Sequence, residues 1–267
     1  MTYTYAFGWK PDLGDARDIP FKASAATLQT LPEQCDLTGK CPPVYDQGQL
    51  GSCTANAIAG AFEFDLKQQG LSDFIPSRLF IYYYERVLEH SIGYDSGASL
   101  RDGIKVVNKR GVCPETEWPY DISKFTARPP KACSIDALKE RVINYRKIEQ
   151  DPAQMRACLA SGQPFVFGIS VYQSFMDAQD GTIPTPMSLP NDKPLNEGHA
   201  LLAVGYDDTK EVFLFRNSWS ETWGKQGYGT IPYAYLTSSD ASDFWTIEAI
   251  ASGVKHMLEE LRKQKED

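Results

Sequence analysis

The sequence predicts an α+β protein in which a mainly helical first part packs beside a mainly β second part, with a cleft between them. Three observations carry this expectation. Apolar residues recur at three- and four-residue spacing in several segments between residues 52 and 160. From Pro164 the texture changes to short β-rich apolar runs separated by Pro, Gly and Asn clusters. No internal repeat or low-complexity block interrupts either part, so the two must cover each other's apolar faces.

The chain has 267 residues, 42% hydrophobic and 12% aromatic, enough to bury a substantial core as one large domain or two small packed ones. Residues 1–30 form an expected extended arm, 31–145 a helical part, 146–250 a β part, and 251–267 a charged terminal helix or tail. In the arm, turn formers and aromatics alternate without helical period, as in Phe7-Gly8-Trp9-Lys10-Pro11-Asp12. The strongest helix follows Ser52, where Ile58, Ala61, Phe62 and Leu66 share a face and Gly70 ends the element. Pro76–Glu89, Ser99–Lys109 and Asp151–Ala160 carry further helical patterns. Phe165–Ile169, Ala200–Val204 and Val212–Phe215 read as strands.

With 27 Lys and Arg against 35 Asp and Glu, the net charge of −8 disfavours nucleic acid or an anionic membrane as partner. No apolar run approaches the roughly 20 residues that span a bilayer, and Met1–Lys10 lacks the order of a secretory signal. The chain reads as soluble and monomeric, with secretion or a periplasmic location left open. Six cysteines (35, 41, 53, 113, 133 and 158) are too few for a disulfide framework, and C-x-x-C spacing is absent, so neither a structural metal nor a cofactor is expected. If one cysteine is a nucleophile, five remain; Cys35 and Cys41 are the nearest candidates for a bridge.

Cys53 ends a Gly-punctuated turn, Gln47-Gly48-Gln49-Leu50-Gly51-Ser52, and opens the strongest helix. A thiol there faces the positive end of the helix dipole and free backbone N–H groups, which favour the thiolate. On its own, such a cysteine reads more readily as a small buried residue that starts a helix. Among three histidines, His90 lies in a polar stretch and His256 in the charged tail. His199 follows Gly198 at the mouth of the strand Ala200–Val204, where it can face a cleft. The chain then turns at Asp207–Lys210 and returns, and a turn centred between Asp208 and Thr209 places Asn217 across from His199 to within one residue. An Asn beside an imidazole orients it without titrating. Gln47 could offer its amide, together with the Cys53 backbone N–H, to a developing oxyanion.

Gln47–Cys53, Gly198-His199-Ala200-Leu201-Leu202-Ala203-Val204-Gly205-Tyr206, and Asn217-Ser218-Trp219 with Trp223-Gly224 and Gly227-Tyr228-Gly229 together resemble the three signature blocks of papain-like cysteine peptidases, in order and spacing, over roughly residues 31–250. The resemblance implies a two-part fold, helical left part and antiparallel β-barrel-like right part, with the active-site cleft between. It implies a thiolate–imidazolium pair of Cys53 and His199, Asn217 behind His199, Gln47 in the oxyanion hole, and Trp219 covering the His–Asn bond. The Cys53 pKa is then strongly lowered, as in papain, with activity at mildly acidic to neutral pH. Gly97, Ala98, Gly198 and Trp219 are the implied substrate-binding positions, and peptides or proteins the substrates. Leu50 stands where the family has a cysteine, so that family disulfide cannot form, and Thr54-Ala55-Asn56 replace an aromatic run; both fit a divergent, bacterial branch. The arm is far shorter than the family's helical pro-region, yet could lie across the cleft and inhibit, as in a zymogen. A Cys–His amidase or transpeptidase, or a catalytically silent binding homologue, remains as an alternative.

Overall fold

The computed structural model describes residues 5–71 and 73–252. In chain order the elements are α1 (Ala25–Gln29), β1 (Gln34–Asp36), α2 (Cys53–Gln68), α3 (Arg78–Leu88), α4 (Leu100–Lys109), α5 (Lys131–Ala137), β2 (Glu140–Lys147), α6 (Pro152–Ala160), β3 (Phe165–Tyr172), α7 (Gln173–Asp177), β4 (Pro194–Asp207), β5 (Val212–Arg216), β6 (Tyr228–Pro232), α8 (Tyr233–Leu236) and β7 (Ala241–Ser252).

Local chemistry fixes the helix starts. The side chains of Ser77, Ser99 and Asp151 accept from the backbone N–H three residues on, capping α3, α4 and α6, and Pro152 opens α6 where no N–H is needed. Helix α2 is different. Every residue from Cys53 to Leu66 is buried, because the helix runs between α3 and α4 on one side and the sheet on the other. Its buried acids are each met: the Tyr45 hydroxyl donates to Glu63, and Gln69 Nε2 to Asp65 at 2.7 Å.

The strands form one seven-stranded sheet in the order β2-β7-β3-β4-β5-β6, with β1 also paired to β4. All of these pairings are antiparallel. The sheet is not closed, which corrects the barrel-like expectation: β2 and β6 end it without pairing to each other. Inward residues of β3, β4 and β5, including Phe165, Phe167, Leu202, Val204, Phe213 and Phe215, are buried in a core continuous with α2.

Two further expectations are revised. Cys35 and Cys41 are free thiols, donating to Leu159 O at 3.3 Å and Leu37 O at 3.6 Å. The β4–β5 ladder places Leu202 opposite Arg216, with a register shift between Ala203 and Gly205. Asn217 is therefore level with Leu201 rather than with His199. His199 lies two residues further along the same face, a diagonal neighbour still within side-chain reach. The arm carries one short helix, α1, that the sequence pattern did not show. Beyond Ser252 the expected charged tail lies outside the described residues.

Candidate active site

Cys53 opens α2, buried, with the backbone of Ala200, Thr54 and Gly8 close around its thiol. Since Ala200 follows His199 on β4, the fold sets the thiol beside the histidine from the opposite wall of the cleft. His199 Nε2 and Asn217 Oδ1 are 2.8 Å apart. The carbonyl oxygen can only accept, so Nε2 carries the hydrogen and Nδ1 is left with its lone pair. That Nδ1 makes no hydrogen bond among the described residues. Asn217 Oδ1 is held in turn by the Ser218 backbone N–H at 2.8 Å. Trp219 stacks on the imidazole, centroids 4.8 Å apart and 23° between planes, with Phe175 edge-on at 6.0 Å. Together the rings exclude water from the His–Asn bond.

Gln47 is buried in the turn before α2. Ser218 Oγ donates to its Oε1 at 2.6 Å, which fixes the amide with its two hydrogens outward. One goes to Leu50 O at 3.0 Å and the other to the cleft, where Ala6 O accepts it at 3.0 Å.

A profile of papain family cysteine proteases matches residues 31–239. The chain belongs to the papain family of cysteine proteases. An uncharacterised peptidase C1-like protein of Acanthamoeba polyphaga mimivirus is 43% identical over 220 residues, covering 78% of this chain and 70% of that protein. Xylellain, a cysteine protease from Xylella fastidiosa, superposes with a TM-score of 0.85 at 44% identity, over 91% of this chain and 96% of the other. Procathepsin L 3 of the Tenebrio molitor larval midgut matches with a TM-score of 0.68 at 18% identity, over 85% and 72%, a likeness of fold alone. This papain-family peptidase is thus a hydrolase, and among its described residues no helix is long and apolar enough to cross a membrane.

In this peptidase the cleft is filled by the arm. The N–H groups of Gly8 and Trp9 both donate to Gly198 O at 3.0 Å on the sheet side. Ala98 N donates to Gly8 O at 2.7 Å, and Lys10 N to Ala98 O at 3.0 Å, on the helical side. Gly97 has φ +66°, and a Cβ there would stand 2.0 Å from Gly8 O, so glycine alone lets the two backbones meet. Tyr5 stacks on Trp219 at 4.0 Å, and Phe7 lies edge-on to His199 and Trp219. The Trp9 indole lies against Gly168 and Gly198 and donates Nε1–H to Asp243 at 3.2 Å. All four implied substrate-binding positions therefore touch the arm.

Burial, with the arm in the cleft, sets the electrostatics. It pushes the Cys53 thiol up to about 12 and the His199 imidazole down to about 4, the Asn217 bond only partly offsetting the latter. The expected lowered thiol is thus reversed in the covered state, because the charged pair has no water to share. The sequence reading missed Ser218, Phe175 and Asp243. Ser218 stood inside a signature block, whereas nothing near Phe175 or Asp243 in the sequence marks them.

Proposed function

We propose that the chain is an endopeptidase that cleaves peptide bonds through a Cys53 thioester and is held inactive by residues 5–12 of its own arm. The observation that carries this reading is the Ala6 carbonyl on the Gln47 amide, with the next residues bonded to both cleft walls beside Cys53. When the arm leaves, water returns and His199 Nδ1 takes the Cys53 proton, giving the ion pair. The thiolate attacks the scissile carbonyl carbon, and the oxyanion takes hydrogen bonds from Gln47 Nε2 and the Cys53 backbone N–H. Collapse breaks the C–N bond as His199 passes its proton to the leaving amine. Water, deprotonated by His199, then attacks the thioester, releasing the acid and restoring the thiol.

A peptide-library digest with the intact chain, a chain lacking residues 1–30, and Cys53→Ala tests both halves of the proposal. Cleavage is expected to be slow, fast and absent, respectively. Gly8→Val provides a second route in the full chain, since a Cβ at position 8 would stand 1.9 Å from Gly51 O and must expel the arm. Equal rates for intact, truncated and Gly8→Val chains would sink the inhibition; a cleaving Cys53→Ala would sink the nucleophile. In the truncated enzyme, Gln47→Ala should lower turnover on the order of 100-fold. Products joined to an added amine, in place of hydrolysis, would favour a transpeptidase, and a Cys53 thiol that resists alkylation in the truncated chain would favour a silent homologue.

A further inference from the structure

Away from the cleft, one group of soft donors has no part in the chemistry above. Cys113, just beyond α4, and Cys133, in α5, are free and buried, and Glu117 lies exposed between them in sequence. The two sulfurs and a Glu117 carboxylate oxygen all lie within 4.8 Å of one another.

The backbone that carries them is pinned on several sides. Ser77 N donates to Cys113 O at 2.9 Å, Glu115 N to Ile75 O at 2.7 Å, and the Cys133 thiol to Glu117 O at 3.5 Å. Two neighbouring acids also differ in what they meet. Glu115 is taken up by the Arg78 guanidinium through bonds of 2.9 and 2.8 Å, whereas Glu117 makes no salt bridge among the described residues. Its carboxylate is left facing the two thiols, with Lys139, itself paired to Asp136, as the nearby cation.

We propose that Cys113, Cys133 and Glu117 bind a zinc-class divalent cation, with water completing a four-coordinate shell. Two sulfurs and one oxygen suit a borderline-soft d¹⁰ ion and disfavour Mg²⁺ or Ca²⁺, which take oxygen. Zn–S bonds of about 2.3 Å put tetrahedral ligands roughly 3.8 Å apart, so donors that already lie within 4.8 Å of one another need to close by at most about an ångström. Binding forms two metal–thiolate bonds and releases one proton from each thiol. The Cys113-x₃-Glu117-x₁₅-Cys133 spacing matches no familiar zinc motif, so no sequence pattern marks it.

The site has a structural consequence. The same segment leads to Tyr120, whose hydroxyl donates to Gln47 O at 2.9 Å and lies 2.5 Å from Ser52 Oγ. An ion at the cluster would staple α5 to the support beneath the oxyanion turn.

The test uses the full chain with Cys53→Ser, so that the nucleophile cannot ligate, and titrates Co²⁺ as an optical probe. One Co²⁺ per chain with near-ultraviolet thiolate-to-cobalt absorption is expected, displaced by Zn²⁺, with Zn²⁺ raising the melting temperature. Cys133→Ser should abolish the band, and Glu117→Gln should weaken Co²⁺ binding about tenfold or more. No thiolate band, a band that survives Cys133→Ser, or a Cys113–Cys133 disulfide in unreduced peptide maps would each overturn the proposal. Should Cys133→Ser fail to fold, Glu117→Gln decides, because its exposed side chain can change without disturbing the core; unchanged Co²⁺ affinity there overturns the three-ligand site.

Discussion

Residues 5–12 and 13–30 of the arm are continuous in sequence but are held by different physics. The first stretch lies in the cleft, with main-chain bonds to both walls, Trp9 only 7% exposed, and Asp12 enclosed by Asp243, Trp245 and Arg101. The second runs over the surface, with Leu13 86% exposed and no buried residue in α1. It is fixed at separated points: Arg101 on Asp18, the exchange of bonds between Ile19, Phe21 and Lys147, and Ala23 N to Gln154 at 2.9 Å. The contrast teaches that the front supplies the grip and the back serves as a tether.

Trp9→Ala is the strongest way to break that contrast. Loss of a buried indole should cost the docked arm about 3–5 kcal/mol, and raise the rate of the intact chain by roughly two to three orders of magnitude, up to the ceiling set by the truncated enzyme.

A pH titration sharpens the same comparison. Burial, then the neighbouring Asp243 charge, raises the Asp12 carboxyl to about 6 when docked. A group raised on docking favours the docked state below its free value, near 3.8, and loses that contribution as pH climbs through 6. The intact-to-truncated rate ratio should therefore rise between pH 4 and about 6.5, by one or two orders of magnitude, and Asp12→Asn should flatten it. A ratio that falls over this range would contradict the assignment. Cys53 and His199 also change surroundings when the arm docks, so the difference between the ratios of the Asp12 and Asp12→Asn chains isolates the Asp12 contribution.

At the back, Arg101→Ala removes the Asp18 pair and a bond to Leu13 O, and should loosen docking by about 1–3 kcal/mol, less than Trp9→Ala. Arg17→Ala, which breaks only an exposed pair with Asp15, should leave the rate ratio unchanged. If Arg17→Ala were to match Trp9→Ala, grip and tether would not be separate.

Much of the scaffold was legible because it obeys simple periods. Helices α2, α3, α4 and α6 were readable from apolar spacing and caps, and β3, β4 and β5 from apolar runs. Strand β2 was not, since one face of this edge strand is exposed and Glu140, Arg141, Arg146 and Lys147 dilute its alternation. Strand β7 was hidden by a register shift and by Asp243 at φ 62°, a backbone excursion no pattern encodes. Cys53, His199, Asn217 and Gln47 stood out because they lie in three ordered blocks. The arm's path has no such block. Its hydrogen bonds to the two cleft walls pass through the main chain of Gly8, Ala98 and Gly198, and such bonds leave almost no trace in side-chain identity.

The sparse fastening of residues 13–30 also has a consequence for competition. A segment joined to its site by a short chain returns at an effective concentration in the millimolar range, independent of how dilute the enzyme is. A free peptide making equal backbone contacts and present at micromolar levels would seldom displace it. A single cut at the exposed stretch around Leu13 to Arg17 would end that advantage, turning the inhibitor into a separate short peptide that dilution alone can remove.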